Sequence, residues 1–135
     1  MSRMLFVNLA VADVERSKTF FTGLGFELNP QFSSDTTACL IVNDQCSILI
    51  HEPSRFTDFT TKAIADSATT TEAILAFSAE SRAEVDTLAD QALASGGSPA
   101  NEPQDHGFMY GRSFQDPDGH VVELIWMDPT AMPPS

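Results

Sequence analysis

Lysine and arginine are scarce: seven against nineteen Asp plus Glu in 135 residues, a net charge of −12. A field of that sign repels phosphate backbones, which excludes nucleic acid as a partner and leaves neutral or cationic small molecules compatible. Cysteine is nearly absent, with Cys39 and Cys46 alone, too few for a secreted disulfide framework. No apolar run approaches the ~18 residues of a membrane helix, so a spanning role is excluded. Residues 3–12 imitate a signal peptide, with Arg3, an apolar stretch and Ala10-Val11-Ala12. That stretch is short, is broken by Asn8 and runs straight into a helix start, so a cytoplasmic protein is expected.

What is present is the composition of a single folded domain, 42% hydrophobic and 19% charged. Residues 4–11 alternate as a strand, with Phe6, Asn8 and Ala10 on one face and Leu5, Val7, Leu9 and Val11 on the other. Asp13 is placed to cap a helix carrying Val14, Phe20, Phe21 and Leu24, which Gly23 and Gly25 end. A short strand at 26–28 and a hairpin of 36–42 with 46–51 follow. The same order then recurs. Residues 73–79 read as a strand, and Ser81 with Glu84 forms a capping box. The helix behind it carries Val85, Leu88, Ala89, Ala92 and Leu93 on one face. Strands at 108–115 and 120–127 flank the turn Asp116-Pro117-Asp118-Gly119. The expected class is therefore α+β, one domain of two βαβββ modules at about 4–52 and 73–128. A Thr-rich connection, 53–72, separates them, and 129–135 reads as a frayed tail.

Three segments carry a family likeness: Val11-Ala12-Asp13-Val14-Glu15-Arg16-Ser17 leading to Phe20-Phe21, then Leu24-Gly25-Phe26, and finally Asp116-Pro117-Asp118-Gly119-His120-Val121-Val122-Glu123-Leu124. Together they resemble the glyoxalase/bleomycin-resistance/extradiol-dioxygenase superfamily, the vicinal oxygen chelate fold. The resemblance implies paired modules curled into a curved-sheet cleft, commonly in a homodimer. Its members include lyases, dioxygenases, epimerases and drug-sequestering proteins, so the fold leaves the function open.

In the metal-dependent members, His or Glu side chains on four strands hold a divalent ion that acts as a Lewis acid. The resemblance puts the last of these positions on Glu123, the first on Phe6 and the third on Ile74, with the second somewhere in 47–52. Phe and Ile offer no lone pair, and one carboxylate alone does not hold a catalytic metal. The expectation is thus a small-molecule-binding protein with no cofactor, and the charge balance would suit a cationic or amine-bearing ligand. The alternative is a lactoylglutathione lyase-like, isomerase-like or dioxygenase-like enzyme using Zn, Ni, Mn or Fe through Asn8, His51 or Glu52, and Glu123. A third class is a metal-free enzyme with Glu123 or His51 as base.

Glu123 faces either a structural ion pair, a ligand or a metal. Arg112 stands opposite it if Pro117-Asp118 is a two-residue turn; an extra bulge residue puts Ser113 there instead. Asn8 shares a face with Phe6 and either orients a ligand or bonds its sheet neighbours. One of His51 and Glu52 faces the cleft, although a strand-end histidine is ordinarily a solvated edge residue. Tyr110 shares parity with Arg112 and either lines the pocket or covers the core edge. Phe56 and Phe59 are candidates for a lid or a subunit contact.

Overall fold

The structure is a computed structural model, and residues 3–131 are described. The chain forms two compact units, 1–66 and 67–135. The first contains β1 (Leu5–Ala10), α1 (Val14–Gly23), β2 (Glu27–Leu28), β3 (Thr37–Asn43), β4 (Cys46–His51) and the short helix α2 (Pro53–Phe56). The second contains β5 (Ile74–Ser78), α3 (Arg82–Ala94), β6 (Ser98–Pro99), β7 (Gln104–Asp105), β8 (Met109–Gln115) and β9 (Val121–Met127). The sheet order is β1-β4-β3-β2 in the first unit and β5-β9-β8-β6 in the second, with β7 added against β8. In each, the first strand runs parallel to the last and the remaining pairs are antiparallel. The βαβββ order expected from the sequence is present twice. The 53–72 connection is in part ordered as α2 and the 3-10 turn Thr57–Phe59. Of the expected tail, residues 132–135 lie outside the described residues. At its start, Asp128 Oδ1 accepts from both the backbone N–H and the hydroxyl of Thr130.

Local chemistry accounts for the helix starts. The Asp13 carboxylate accepts the Arg16 N–H at 3.1 Å, filling an orphan donor of the first turn of α1. Ser81 Oγ accepts the Glu84 N–H at 3.0 Å, while the Glu84 carboxylate reaches back to the Glu80 N–H at 3.1 Å, one residue earlier than a standard capping box. Gly25, just past the end of α1, has φ of +99°, a conformation few other residues adopt without strain.

Each helix covers one face of its own sheet. In the first unit Val14, Phe20 and Phe21 bury themselves with Val11, Ala38, Leu40, Ile48 and Ile50. The Phe21 ring meets Phe20 and Phe26 edge-on at 5.0 and 6.0 Å. In the second unit Val85, Ala89 and Ala92 of α3 pack on Phe114, Val122 and Leu124. The opposite faces are covered only in part: Phe6 and Ile74 stay 51% and 52% exposed, while Cys39, Ser47 and His51 on the face of Phe6 are buried.

The β8–β9 turn sets the register of the second sheet. Its loop is Pro117-Asp118-Gly119, closed by Asp116 N–H donating to His120 O at 2.9 Å, with Gly119 N–H donating to Asp116 O at 3.0 Å and Gly119 at φ +94°. This three-residue hairpin places Ser113 opposite Glu123 and Arg112 opposite Leu124. The Asp116 side chain is buried and accepts two N–H groups on Oδ1, from Asp118 at 3.0 Å and His120 at 2.9 Å. Oδ2 is buried with no hydrogen-bond partner. Burial raises the Asp116 pKa above its ordinary value near 3.8.

A carboxyl whose folded-state pKa is raised contributes stability that is full below its unfolded value and is lost as pH rises through the folded value. Asp116→Asn keeps the Oδ1 acceptor and removes the buried charge. Its unfolding midpoint at pH 7 is expected to be no lower than that of the parent, and its stability should lack the parent's fall above pH 3.8. Asp116→Ala, which loses both bonds, should cost about 2 kcal/mol. Denaturation midpoints of the three proteins across pH 3–8 check both statements.

Candidate functional site

The open face of the first sheet carries Phe6, Asn8 and Ala10 on β1 beside Ser47, Leu49 and His51 on β4 and Thr37, Cys39 and Ile41 on β3. Two segments build walls over it. Asn29 caps the 3-10 turn Pro30–Phe32, and Ser33 Oγ ties that turn back by donating to Asn29 O at 2.7 Å while accepting the Cys39 N–H at 3.0 Å. On the other side, Pro53 starts α2 straight after β4, and the chain continues through Thr57–Phe59. Between the walls lies a cavity of about 470 Å³ lined by Asn8, Thr37, Leu49, His51, Arg55 and Phe59, with residues 31–34 completing it. That volume falls in the range of small-molecule sites.

His51 is the fixed point of this cavity. It is 3% exposed, and both ring nitrogens are engaged. Nε2 lies 2.8 Å from Asn8 Oδ1 and Nδ1 lies 2.8 Å from Thr37 Oγ1. An amide oxygen only accepts, so Nε2 carries the proton, and the neutral ring takes the Thr37 hydroxyl hydrogen on Nδ1. Burial, with Arg55 nearby as a second cause, lowers the His51 pKa below its ordinary 6.5, so the neutral form is the one held. The Phe59 and Phe56 rings lie at 5.1 and 6.3 Å from the imidazole. The Arg55 guanidinium lies over Phe59 at 4.8 Å and donates through Nη1 to Asp58 at 2.7 Å.

The sequence-derived site residues divide accordingly. Asn8 and His51 are brought together, and His51 is buried instead of being the solvated edge residue that strand ends usually carry. Asn8 meets a sheet neighbour and the cavity at once. Glu52 turns away: it is the N-cap residue of α2, and its carboxylate accepts from Ser54 Oγ at 2.8 Å. Phe56 and Phe59 pack beside His51 within the first unit.

Arg112 and Tyr110 require a correction. Neither shares a face with Glu123, because the three-residue turn shifts the pairing by one residue and so flips parity. Both lie on the face covered by α3. There Arg112 Nη1 donates to Asp86 at 3.1 Å and Asp90 at 2.9 Å, and the Tyr110 hydroxyl donates to Asp86 at 2.6 Å. The Asp86 pKa is lowered, first by the Tyr110 hydrogen bond, and the Tyr110 pKa is raised by the same bond. Arg82 extends the cluster, holding Asp105 through two nitrogens at 2.9 and 2.8 Å beneath the rings of Tyr110 and Trp126. This network ties α3 to β7 and β8. Of the two registers the turn sequence admits, the one with Ser113 opposite Glu123 is present, and the Arg112–Glu123 pair of the other is not formed.

Glu123 is half-buried on the open face of the second sheet, opposite Ser113 and beside Ala76. The two sheets share one register plan: Phe6 pairs with Ser47 as Ile74 pairs with Val121. Glu123, two residues after Val121, therefore has Leu49 as its counterpart in the first sheet. The second metal-ligand position thereby falls on Leu49. The four positions implied by the resemblance are Phe6, Leu49, Ile74 and Glu123, and three are hydrocarbon. These residues do not fit a divalent ion, which needs several N, O or S donors.

The second unit has its own cavity, of about 460 Å³, lined by Ser67, Thr69, Thr71, Ile74, Asn101 and Gln115 among others. It contains no ionisable side chain among its lining residues. Residues 29–34, which form one wall of the first cavity, were missed as a site in the sequence, and of the other wall only Phe56 and Phe59 were singled out, as candidates for a lid or a subunit contact. Pro at the first position of each turn is the signal both walls carry.

Comparison with known proteins agrees with this architecture. The Glyoxalase/Bleomycin resistance protein/Dioxygenase superfamily profile matches residues 3–124. No curated protein matches the chain. Among solved structures, a hypothetical protein from S. aureus is 25% identical, with a TM-score of 0.78 over 93% of this chain and 94% of its own. A lactoylglutathione lyase from Agrobacterium tumefaciens is 17% identical, with a TM-score of 0.68 over 98% of each chain. A fosfomycin resistance protein from Listeria monocytogenes is 22% identical, with a TM-score of 0.66 over 93% of this chain and 91% of its own. With two βαβββ units and a profile match across nearly its whole length, the chain belongs to the Glyoxalase/Bleomycin resistance protein/Dioxygenase superfamily.

Proposed function

We propose that this member of the superfamily binds a small molecule in the cavity of its first module, without the metal centre of the metal-dependent enzymes. The observation that carries the reading is the donor set: Phe6, Leu49 and Ile74 at three metal positions have no lone pair to give. The 470 Å³ cavity around His51 supports binding in its place. The net charge of −12 draws cations toward the molecule as a whole. The cavity lining, however, includes Arg55 and no carboxylate. Asp58 pairs with Arg55 from outside the lining and is more than half exposed. The groups that face a ligand are therefore the Arg55 and Asn8 donors, and a neutral or anionic ligand is favoured there over an amine. A homodimer belongs to the same proposal; Met4, Leu5 and Phe6, each more than half exposed along the edge strand β1, offer apolar surface for a second copy.

Elemental analysis of tag-free protein after incubation with Mn, Fe, Co, Ni and Zn tests the metal side. Retention far below one equivalent is expected for every ion. Glu123 is the specific observation favouring a second reading, a metal-dependent lyase, isomerase or dioxygenase. Near-stoichiometric retention of one ion, lost on Glu123→Gln, would establish that reading instead. No helix among the described residues is long and apolar enough to cross a membrane. A cytoplasmic location is part of the proposal, and fractionation of cells producing the protein tests it.

A further inference from the structure

We infer that the cavity of the first module selects a small carboxylate joined to an aromatic or other flat apolar body. The inference rests on the binding role just proposed for that cavity. Asn8 and Arg55 turn donors toward a ligand, while Gln31, Ser33 and Ser34 along one wall can donate or accept. The Asn8 oxygen is committed to the His51 N–H, so the group Asn8 turns outward is its NH₂, whose contact with Phe6 O is long at 3.4 Å. The Thr37 hydroxyl hydrogen is committed to Nδ1, which fixes the imidazole in the tautomer that keeps Asn8 in this orientation.

Arg55 supplies the charge. Asp58 engages Nη1 in an exposed pair of little strength, and among the described residues Nη2 and the Nε–H have no hydrogen-bond partner. The guanidinium fork matches a carboxylate better than any neutral acceptor. The apolar half of the cavity is Leu49 with the ring of Phe32, which is 61% exposed, and the outer part of Phe59, whose ring already carries Arg55 at 4.8 Å and meets His51 at 5.1 Å. An ammonium group would meet Arg55 and the Asn8 NH₂ with no carboxylate among the lining residues to receive it. Neutral His51 adds no charge of either sign. The chain's overall negative charge slows the approach of an anion but is screened before it reaches contact distances.

Benzoate, benzamide and benzylamine share a ring and differ in charge, which makes them the probes. Side-chain amide and imidazole NMR signals of Asn8 and His51 report binding at this place. Benzoate is expected to shift both in a saturable way and to bind about tenfold or more tightly than the other two. Arg55→Gln, at an exposed position, should bring benzoate to the level of benzamide. Asn8→Asp should weaken benzoate as well, since it keeps an oxygen toward His51 and replaces the outward NH₂ by a second oxygen. Benzamide or benzylamine binding as well as benzoate, or benzoate unaffected by both substitutions, would overturn the charge selection and leave the binding site standing. Absence of any saturable shift at Asn8 and His51 with all three probes would overturn the binding site itself.

Discussion

Gly119→Ala is expected to destabilise the protein by about 3 kcal/mol. Gly119 has φ of +94°, where a Cβ costs about 1–2 kcal/mol in any surroundings. Here the surroundings are also closed. A Cβ on Gly119 would clash with the backbone oxygen of Ser67 and lie 3.0 Å from the Ser67 carbonyl carbon and 3.2 Å from the Ala68 Cα. Those are backbone atoms, held in place by the Ser67 hydroxyl donating to Asp118 O at 2.7 Å. They move only by lifting the 67–68 segment off the turn. Gly107, at φ +80° with nothing within 4 Å of its would-be Cβ, isolates the conformational part. Gly107→Ala should therefore cost only about 1 kcal/mol. Denaturant midpoints of both variants give the comparison. Equal losses would show that Ser67 does not lie against the turn.

The second large effect is expected at His51. His51→Ala should lose about 2 kcal/mol through the vacated volume and the two hydrogen bonds to Asn8 and Thr37. It should also abolish ligand binding in the cavity, because nothing then fixes the Asn8 amide. The pH dependence separates His51 from a merely structural contact. Its folded-state pKa is lowered by burial and by Arg55, so the unfolded chain binds a proton that the folded chain refuses. The stability it contributes is full above the unfolded value near 6.5 and is lost as pH falls toward the folded value. The parent should weaken on acidification through that window, and His51→Gln should lack this component. A parent and variant with identical pH profiles between 5 and 7.5 would contradict the neutral, buried imidazole.

Much of the fold is written in local sequence. Asp13, Ser81 with Glu84, and the Asp116–Gly119 turn are helix caps and hairpin chemistry that work without knowledge of the rest of the chain. The candidate site was legible only in part, for two physical reasons. Strand parity is unforgiving: a loop of three residues in place of two moved Arg112 and Tyr110 from the Glu123 face to the helix face. The turn sequence admitted both lengths, with Gly119 in the left-handed region deciding for the longer. The second reason is distance along the chain. Asn8 and His51 are 43 residues apart, and Arg112 finds its carboxylates 22 and 26 residues away. No local pattern marks such pairs. Phe6 follows from alternation and Ile74 from the count that the family resemblance implies, and both lie exposed on their sheets.

The shared register plan of the two sheets has a consequence for how labour is divided between them. Carried from the first sheet to the second, Asn8 falls on Ala76, Thr37 on Gly111 and His51 on Ile125. The polar triad of one module is thus answered in the other by Ala76, Ile125 and a glycine, none of which offers a side-chain hydrogen-bonding atom. Leu49 and Glu123 reverse the relation. The chain is a scaffold used twice with different lettering, so its two halves are chemically unequal although they fold alike. The second half is also permissive at the matching spot. A Cβ on Gly111 would find its nearest neighbours at 3.5 and 3.7 Å, ordinary contact distances. The absence of a donor triad there is therefore a matter of which letters were written, and the backbone would accept others.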